Sequence, residues 1–225
     1  MSRNTPISFE FFPTKTDEGT QKLLQVHQRL AALNPAYFSV TYGAGGSTRE
    51  RTLSIVDSIQ QAAPIAVAPH LSCIGDDKAE IAALLHRYKN QGIKNLVALR
   101  GDLPSGQVGL GELPYARDLV EFVRQETGDH FHIEVAAYPE MHPQSYDYES
   151  DLKNFVAKVN AGADSAITQF FFNADAYFYF VERVRKAGVT IPIVPGIMPI
   201  TNASNLIRFA DGCGADVPRW IRKQL

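Results

Sequence analysis

The chain is poor in cysteine, with two among 225 residues, and it holds one tryptophan and three methionines. Cys73 and Cys213 stand far apart and outside any CxxC spacing. That excludes a disulfide scaffold and a thiolate zinc site, implies a reducing compartment, and leaves both thiols as expected spectators with no metal to hold. No run approaches the ~20 apolar residues that span a bilayer, and the N-terminal MSRNTPISFE lacks the apolar core of a secretory signal, so no membrane partner and a cytoplasmic location are expected. Runs of basic charge are absent too. With 22 Lys and Arg against 24 Asp and Glu the formal charge is -2, which excludes nucleic acid as a general partner and favours small molecules. No linker, repeat or low-complexity tract divides the chain, so residues 1–225 are expected to form a single domain.

What is present is alternation. Seven strand-like runs rich in β-branched or aromatic residues, Ile7 to Phe12, Tyr37 to Tyr42, Ile65 to Leu71, Asn95 to Leu99, His132 to Ala137, Ser165 to Phe171 and Ile191 to Ile197, are separated by helical runs with apolar residues at i, i+3, i+4 and i+7. Gly92, Gly162 and Gly188 each close a helical run, the place for a left-handed residue. Strict βα alternation implies parallel strands and either an open doubly wound sheet or a (β/α)8 TIM barrel. Polar residues end every strand rather than clustering at one switch point, which favours the barrel. Only seven βα units are evident. A helix from Ala203 to Ala210 and a tail, PRWIRKQL, follow the seventh strand, so the barrel is expected to be C-terminally incomplete.

Several residues have the chemistry of a site. Glu10 lies among Phe9, Phe11 and Phe12, where burial would suit a general acid; the alternative is a carboxylate paired with an arginine or water. The loop TYGAGGST, Thr41 to Thr48, has the glycines of a phosphate turn without the GxGxxG spacing, and a simple turn with Ser47 or Thr48 as helix cap explains it as well. His70 ends a strand. Arg100 and Asp102, flanking Gly101, offer a cationic fork beside a carboxylate, or else a mutual ion pair. Tyr138 and His142 follow the fifth strand, and Gln169 lies in the sixth, where its side chain either reads the polar edge of a heterocycle or bonds to nearby backbone. Asp151, Asn154 and Lys158 share one helical face, ordinarily a solvated one.

Taken in order and spacing, SFEFFPTKT, FSVTYGAGGSTRERT, LRGDLP, VAAYPEMHP, GADSAITQFFF and PGIMPITN resemble the methylenetetrahydrofolate reductase family, in its bacterial single-domain form. The resemblance runs from Ile7 almost to the last residue. It implies a (β/α)8 barrel carrying FAD, with NADH or NADPH as co-substrate, that reduces 5,10-methylenetetrahydrofolate to 5-methyltetrahydrofolate by alternate use of one site, in one-carbon metabolism and methionine supply. A barrel of seven strands leaves the edges of its first and seventh strands unpaired, so association into a homo-oligomer is expected. Glu10 resembles the family's general acid, and Asp102 the carboxylate that holds the pterin near the flavin. Gln169, Asn205 and Phe209 fall on substrate-binding positions, although Asn205 stands where the family has a glutamine. Thr41, Tyr42, Ala44, His70, Arg100, Gly101, Asp102, Tyr115, Ala116, Tyr138, His142, Asp151, Asn154 and Lys158 fall on positions that line FAD, so the Asp151 face is expected to meet the cofactor rather than water. Ala157 replaces an often basic residue. Two other readings stay open: a catalytically inactive truncated barrel that acts through a partner chain, and a flavin-free barrel lyase or transferase using Glu10 and Asp102.

Overall fold

Parallel strands and helices do alternate along the chain. The computed structural model describes residues 5–42, 46–102 and 109–225, with residues 46–48 as helix backbone. Among the described residues the elements run β1 (Phe9–Phe11), α1 (Asp17–Ala31), β2 (Tyr37–Val40), α2 (Gly46–Ala62), β3 (Ala66–Ser72), α3 (Lys78–Asn90), β4 (Asn95–Leu99), α4 (Ala116–Thr127), β5 (His132–Ala137), α5 (Tyr148–Asn160), β6 (Ser165–Thr168), α6 (Ala174–Lys186), β7 (Ile193–Val194), α7 (Ala203–Cys213) and α8 (Arg219–Gln224). Two compact units divide them, Met1–Ile133 and Glu134–Leu225.

In the first unit β1 pairs with β2, β2 with β3 and β3 with β4, all parallel. Phe38, Val40, Leu71 and Leu96 are buried, as are Leu53, Val56 and Ile59 on α2 and Ile81 and Leu85 on α3, and α2 packs on β2 and β3. Burying each such side chain contributes about 1.5–3 kcal/mol, which holds the strand ends in register. His27 on α1 joins this core with no exposure. It packs edge-on against Phe38 at 4.4 Å and Phe11 at 6.4 Å, so a residue that looks polar in the sequence serves here as an aromatic wedge.

In the second unit β5 pairs with β6 and β6 with β7, again parallel. Phe155 on α5 meets Phe180 on α6 at 5.3 Å. Phe170, Ala210, Ala215, Val217 and Ile221 form a further buried cluster that seats α7 and α8. The tail is thus a short helix rather than loose chain.

Strands β4 and β5 have the expected bounds, and Gly92, Gly162 and Gly188 all have positive φ. Both β6 and β7 are shorter than expected. Pro192 and Pro195 flank β7, and a residue without an N–H cannot extend a ladder.

Candidate active site

The end of β4 shows how tightly the strand mouths are built. The Arg100 carbonyl accepts from the Ile74 N–H at 2.9 Å and from Ser72 Oγ at 2.9 Å, and Cys73 Sγ points at it from 3.7 Å. Gly101 then turns with φ +83, and a Cβ there would stand 1.9 Å from Ser72 Oγ and 3.2 Å from Ile74 Cγ2. Glycine is required on both counts, conformation and space. Arg100 Nε donates to the Gly101 carbonyl at 3.2 Å, and Asp102 is exposed. Cys73, expected to be a spectator, is fully buried with its thiol pushed up to about 12 by burial, and it also points at the Tyr115 carbonyl at 3.8 Å. Its role is structural but specific.

Glu10 departs from expectation. Phe9 and Phe11 stack on Phe38, with ring centroids 6.0 and 5.6 Å away, and strand alternation sends Glu10 to the other face. There its side chain is 40% exposed, not buried, and Oε2 lies 3.4 Å from Nε2 of His70, a side chain 7% exposed. The pair is within ion-pair reach but is not aligned as a hydrogen bond, and His70 Nε2 has no hydrogen-bond partner among the described residues. The expected partner for this carboxylate, arginine or water, is instead an imidazole.

Thr41 is anchored by its own backbone, donating to the Phe11 carbonyl at 2.9 Å and accepting from Thr52 Oγ1 at 3.1 Å. Tyr42 OH donates to Asp76 Oδ2 over 3.5 Å, and Arg49 Nη2 lies 3.8 Å from the same oxygen. Burial, reinforced by the Asp76 charge, pushes Tyr42 up to about 12; burial also raises Asp76, with Arg49 opposing. Asp76 and Arg49 were missed from the sequence because neither ends a strand. Ala44 lies outside the described residues. Tyr115 caps α4 with its N–H donating to Asp118 Oδ2 at 3.0 Å, its ring lies under the Arg117 guanidinium at 5.4 Å, and half-buried Ala116 follows. Tyr115 also lines a surface cleft of about 400 Å³ with Lys78, Glu112, Arg117 and Phe122. Glu10, His70 and Arg100 do not line it.

The other expected residues lie in the second unit. The rings of Tyr138 and His142 meet edge-on at 4.5 Å, and His142 Nδ1 accepts from the Gln144 N–H at 3.0 Å. Met141 before it has φ +97, a strained conformation for a side chain of that size and a frequent mark of functional loops. Asp151 accepts from the His142 N–H and from Ser145 Oγ, each at 3.0 Å, so it anchors this loop. Lys158 is partly exposed along its stem, but its amine is enclosed and donates to the Ala136 carbonyl at 2.5 Å; burial lowers it to about 8, with Asp151 opposing. Asn154 is exposed. The helix face is therefore not a solvated one, because two of its three members turn inward.

The Gln169 N–H continues the ladder to the Ala137 carbonyl at 2.8 Å, while its half-buried side chain has no hydrogen bond among the described residues. The side-chain bond to nearby backbone, the other reading open from the sequence, is therefore not made among the described residues. Beside it Gly196 lies so close to β6 that a Cβ would stand 2.2 Å from the Thr168 carbonyl oxygen. On α7, Asn205 Oδ1 accepts from Arg208 at 3.4 Å, and Phe209, 48% exposed, leans on Phe170 at 6.2 Å.

Solved structures place the fold. An uncharacterized protein from Clostridium thermocellum that binds two copies of 5-methyl-5,6,7,8-tetrahydrofolic acid superposes with a TM-score of 0.68 at 16% identity, covering 98% of this chain and 75% of that one. Tryptophan synthase from Pyrococcus furiosus does so with 0.52 at 11% identity, covering 93% and 85%. At such identities the likeness concerns the fold alone, and it is of the TIM-barrel, α/β kind. Sequence relatives are much nearer. The model of the methylenetetrahydrofolate reductase family matches residues 1–225. The 5,10-methylenetetrahydrofolate reductase of Salmonella typhimurium is 44% identical over 215 residues, which is 96% of this chain and 71% of that protein. Its Escherichia coli counterpart is 45% identical over the same shares. A methylenetetrahydrofolate reductase (NADH) of Zea mays is 39% identical over 98% of this chain and 40% of that one.

Proposed function

Because this chain belongs to the methylenetetrahydrofolate reductase family, we propose that it reduces 5,10-methylenetetrahydrofolate to 5-methyltetrahydrofolate, with FAD as cofactor and NADH or NADPH as reductant. The observation that supports this reading best is Glu10, an accessible carboxyl on β1 that stands 3.4 Å from a buried imidazole. A proton donor must reach its substrate and yet be held in place, and this arrangement meets both needs.

The donor set suits a flavin. In the first unit, Arg100 and Gly101 are fixed by the bonds at the end of β4. In the second, the enclosed amine of Lys158 suits a phosphate, and the Tyr138 and His142 rings offer a face. FAD, when bound, carries the hydride from the nicotinamide to the folate.

The protein's own part is positional and protic. Glu10 gives a proton to a ring nitrogen of the folate, which opens the five-membered ring for hydride addition. Asp102, exposed past the Gly101 turn, holds the pterin by its N–H groups, Gln169 contributes its amide, and Phe209 an aromatic face.

Anaerobic addition of NADH to the purified FAD-loaded chain should bleach the flavin, and 5,10-methylenetetrahydrofolate should restore its colour. A folded, FAD-loaded sample that neither NADH nor NADPH bleaches would refute the assignment.

A further inference from the structure

Glu10 and His70 meet across an intervening strand, and the sequence supplies the means. Glu10 is in register with Ser39 on β2, and Ser39 with Ala68 on β3. These three share one face of the sheet, and His70, two residues beyond Ala68, shares it too. Strands one apart are separated by about 10 Å, which a glutamate and an imidazole together span only if nothing tall stands between them. Ser39 and Ala68 are small, and both are buried, at 4% and 2% exposure. His70 is likewise buried at 6%, and its Nε2 faces the Glu10 carboxyl at 3.4 Å with no other partner among the described residues. Such a nitrogen is costly to bury unless something accepts from it or donates to it.

We propose that His70 is a positioning residue that holds the Glu10 carboxyl in place before and after it gives up its proton, a role that rests on the reductase function above. In the protonated state one Glu10 oxygen carries the proton and the other accepts from His70 Nε2–H. When the O–H bond breaks and the N–H bond forms on the folate, Glu10 is left as a carboxylate and the same imidazole donor remains on it, with no electron transferred and no other proton moved. The bond strengthens as the charge appears, so the acid is stabilised in the form it reaches as the proton departs. On this view the family position His70 serves the proton donor more than the cofactor.

A double-mutant cycle separates this role from a structural one. Rates of the NADH half-reaction and the folate half-reaction are measured by flavin absorbance in the full chain and in Glu10→Gln, His70→Leu, His70→Gln and the Glu10→Gln/His70→Leu double variant. His70→Leu should lose about tenfold more in the folate half than in the NADH half. His70→Gln, whose amide can still donate, should recover part of that loss, and the double variant should be no worse than Glu10→Gln alone. A second readout needs no turnover: in the full chain labelled with 15N-histidine, Glu10→Gln should move the His70 Nε2 resonance more than that of any other of the six histidines. Additive losses, equal losses in the two halves, or a His70 resonance indifferent to Glu10→Gln would overturn the proposal. A wild-type chain lacking either half-reaction would refute the reductase assignment instead, and the resonance measurement would still decide the pairing.

Discussion

Replacing Gly101 by alanine tests the end of β4 directly. An alanine at φ +83 takes on the left-handed conformation, which costs roughly 1–2 kcal/mol. Its Cβ would also stand 1.9 Å from Ser72 Oγ and 3.0 Å from Ser72 Cβ, so Ser72 must rotate and give up its 2.9 Å bond to the Arg100 carbonyl. That loss adds about 1 kcal/mol, since the carbonyl keeps the Ile74 N–H. Residual crowding against Ile74 brings the whole to about 2–4 kcal/mol. In urea unfolding of the full chain, with a slope near 3 kcal/mol/M, the midpoint should fall by roughly 1 M. The control is Ser72→Ala, which removes the oxygen in the way. In that background Gly101→Ala should retain the backbone cost and the crowding against Ile74, together about 1–3 kcal/mol, leaving a coupling near 1 kcal/mol. Equal costs in both backgrounds, or a single-variant cost within 0.5 kcal/mol of zero, would show that the close approach does not constrain this turn. Because Gly101 aims Arg100 and Asp102, the variant should also retain less FAD on gel filtration.

Glu10→Gln should slow the folate half-reaction by about 10² or more, the usual contribution of a positioned acid, and slow flavin reduction by NADH far less; comparable losses in stopped-flow traces of the two halves would contradict the assignment. Lys158, lowered to about 8 in the folded protein, loses its charge as pH rises through that value, so FAD affinity measured by fluorescence quenching should fall above about pH 8, and Lys158→Met should lower it at pH 7 while flattening the profile. His27 is a buried imidazole lowered from 6.5 by desolvation. Its folded state stays neutral where the unfolded chain takes up a proton, so this residue's contribution to stability is full above pH 6.5 and is lost as pH falls below it. Urea midpoints at pH 7 and pH 5 should therefore converge in His27→Leu, and an unchanged acid slope would show that the imidazole finds a proton acceptor in the fold.

Expectation and structure diverge where a side chain's surroundings come from other parts of the chain. Glu10 was expected to be buried because its sequence neighbours are phenylalanines, yet strand alternation puts those rings on one face against Phe38 and Glu10 on the other. The Asp151, Asn154 and Lys158 stripe has the polarity of a solvated face, yet Asp151 binds a loop nine residues before it and Lys158 reaches back to β5. Asp76 and Arg49 carry no local signal at all, since their connection to Tyr42 exists only once β2 and β3 lie side by side.

By itself the sequence determined the alternation of strands and helices, the bounds of β4 and β5, the helix-ending glycines and, through its motifs, the family. These follow from local periodicity, backbone preference and residue spacing, all of which are carried within short stretches of chain. Only the tertiary structure decided what touches Arg100, Gly101 and Glu10. Register across β1, β2 and β3 sets small Ser39 and Ala68 between Glu10 and His70, and the close approach of β3 to the end of β4 makes Gly101 indispensable. Such contacts join residues about 30 to 60 positions apart, a separation at which no local pattern constrains a side chain and only packing does.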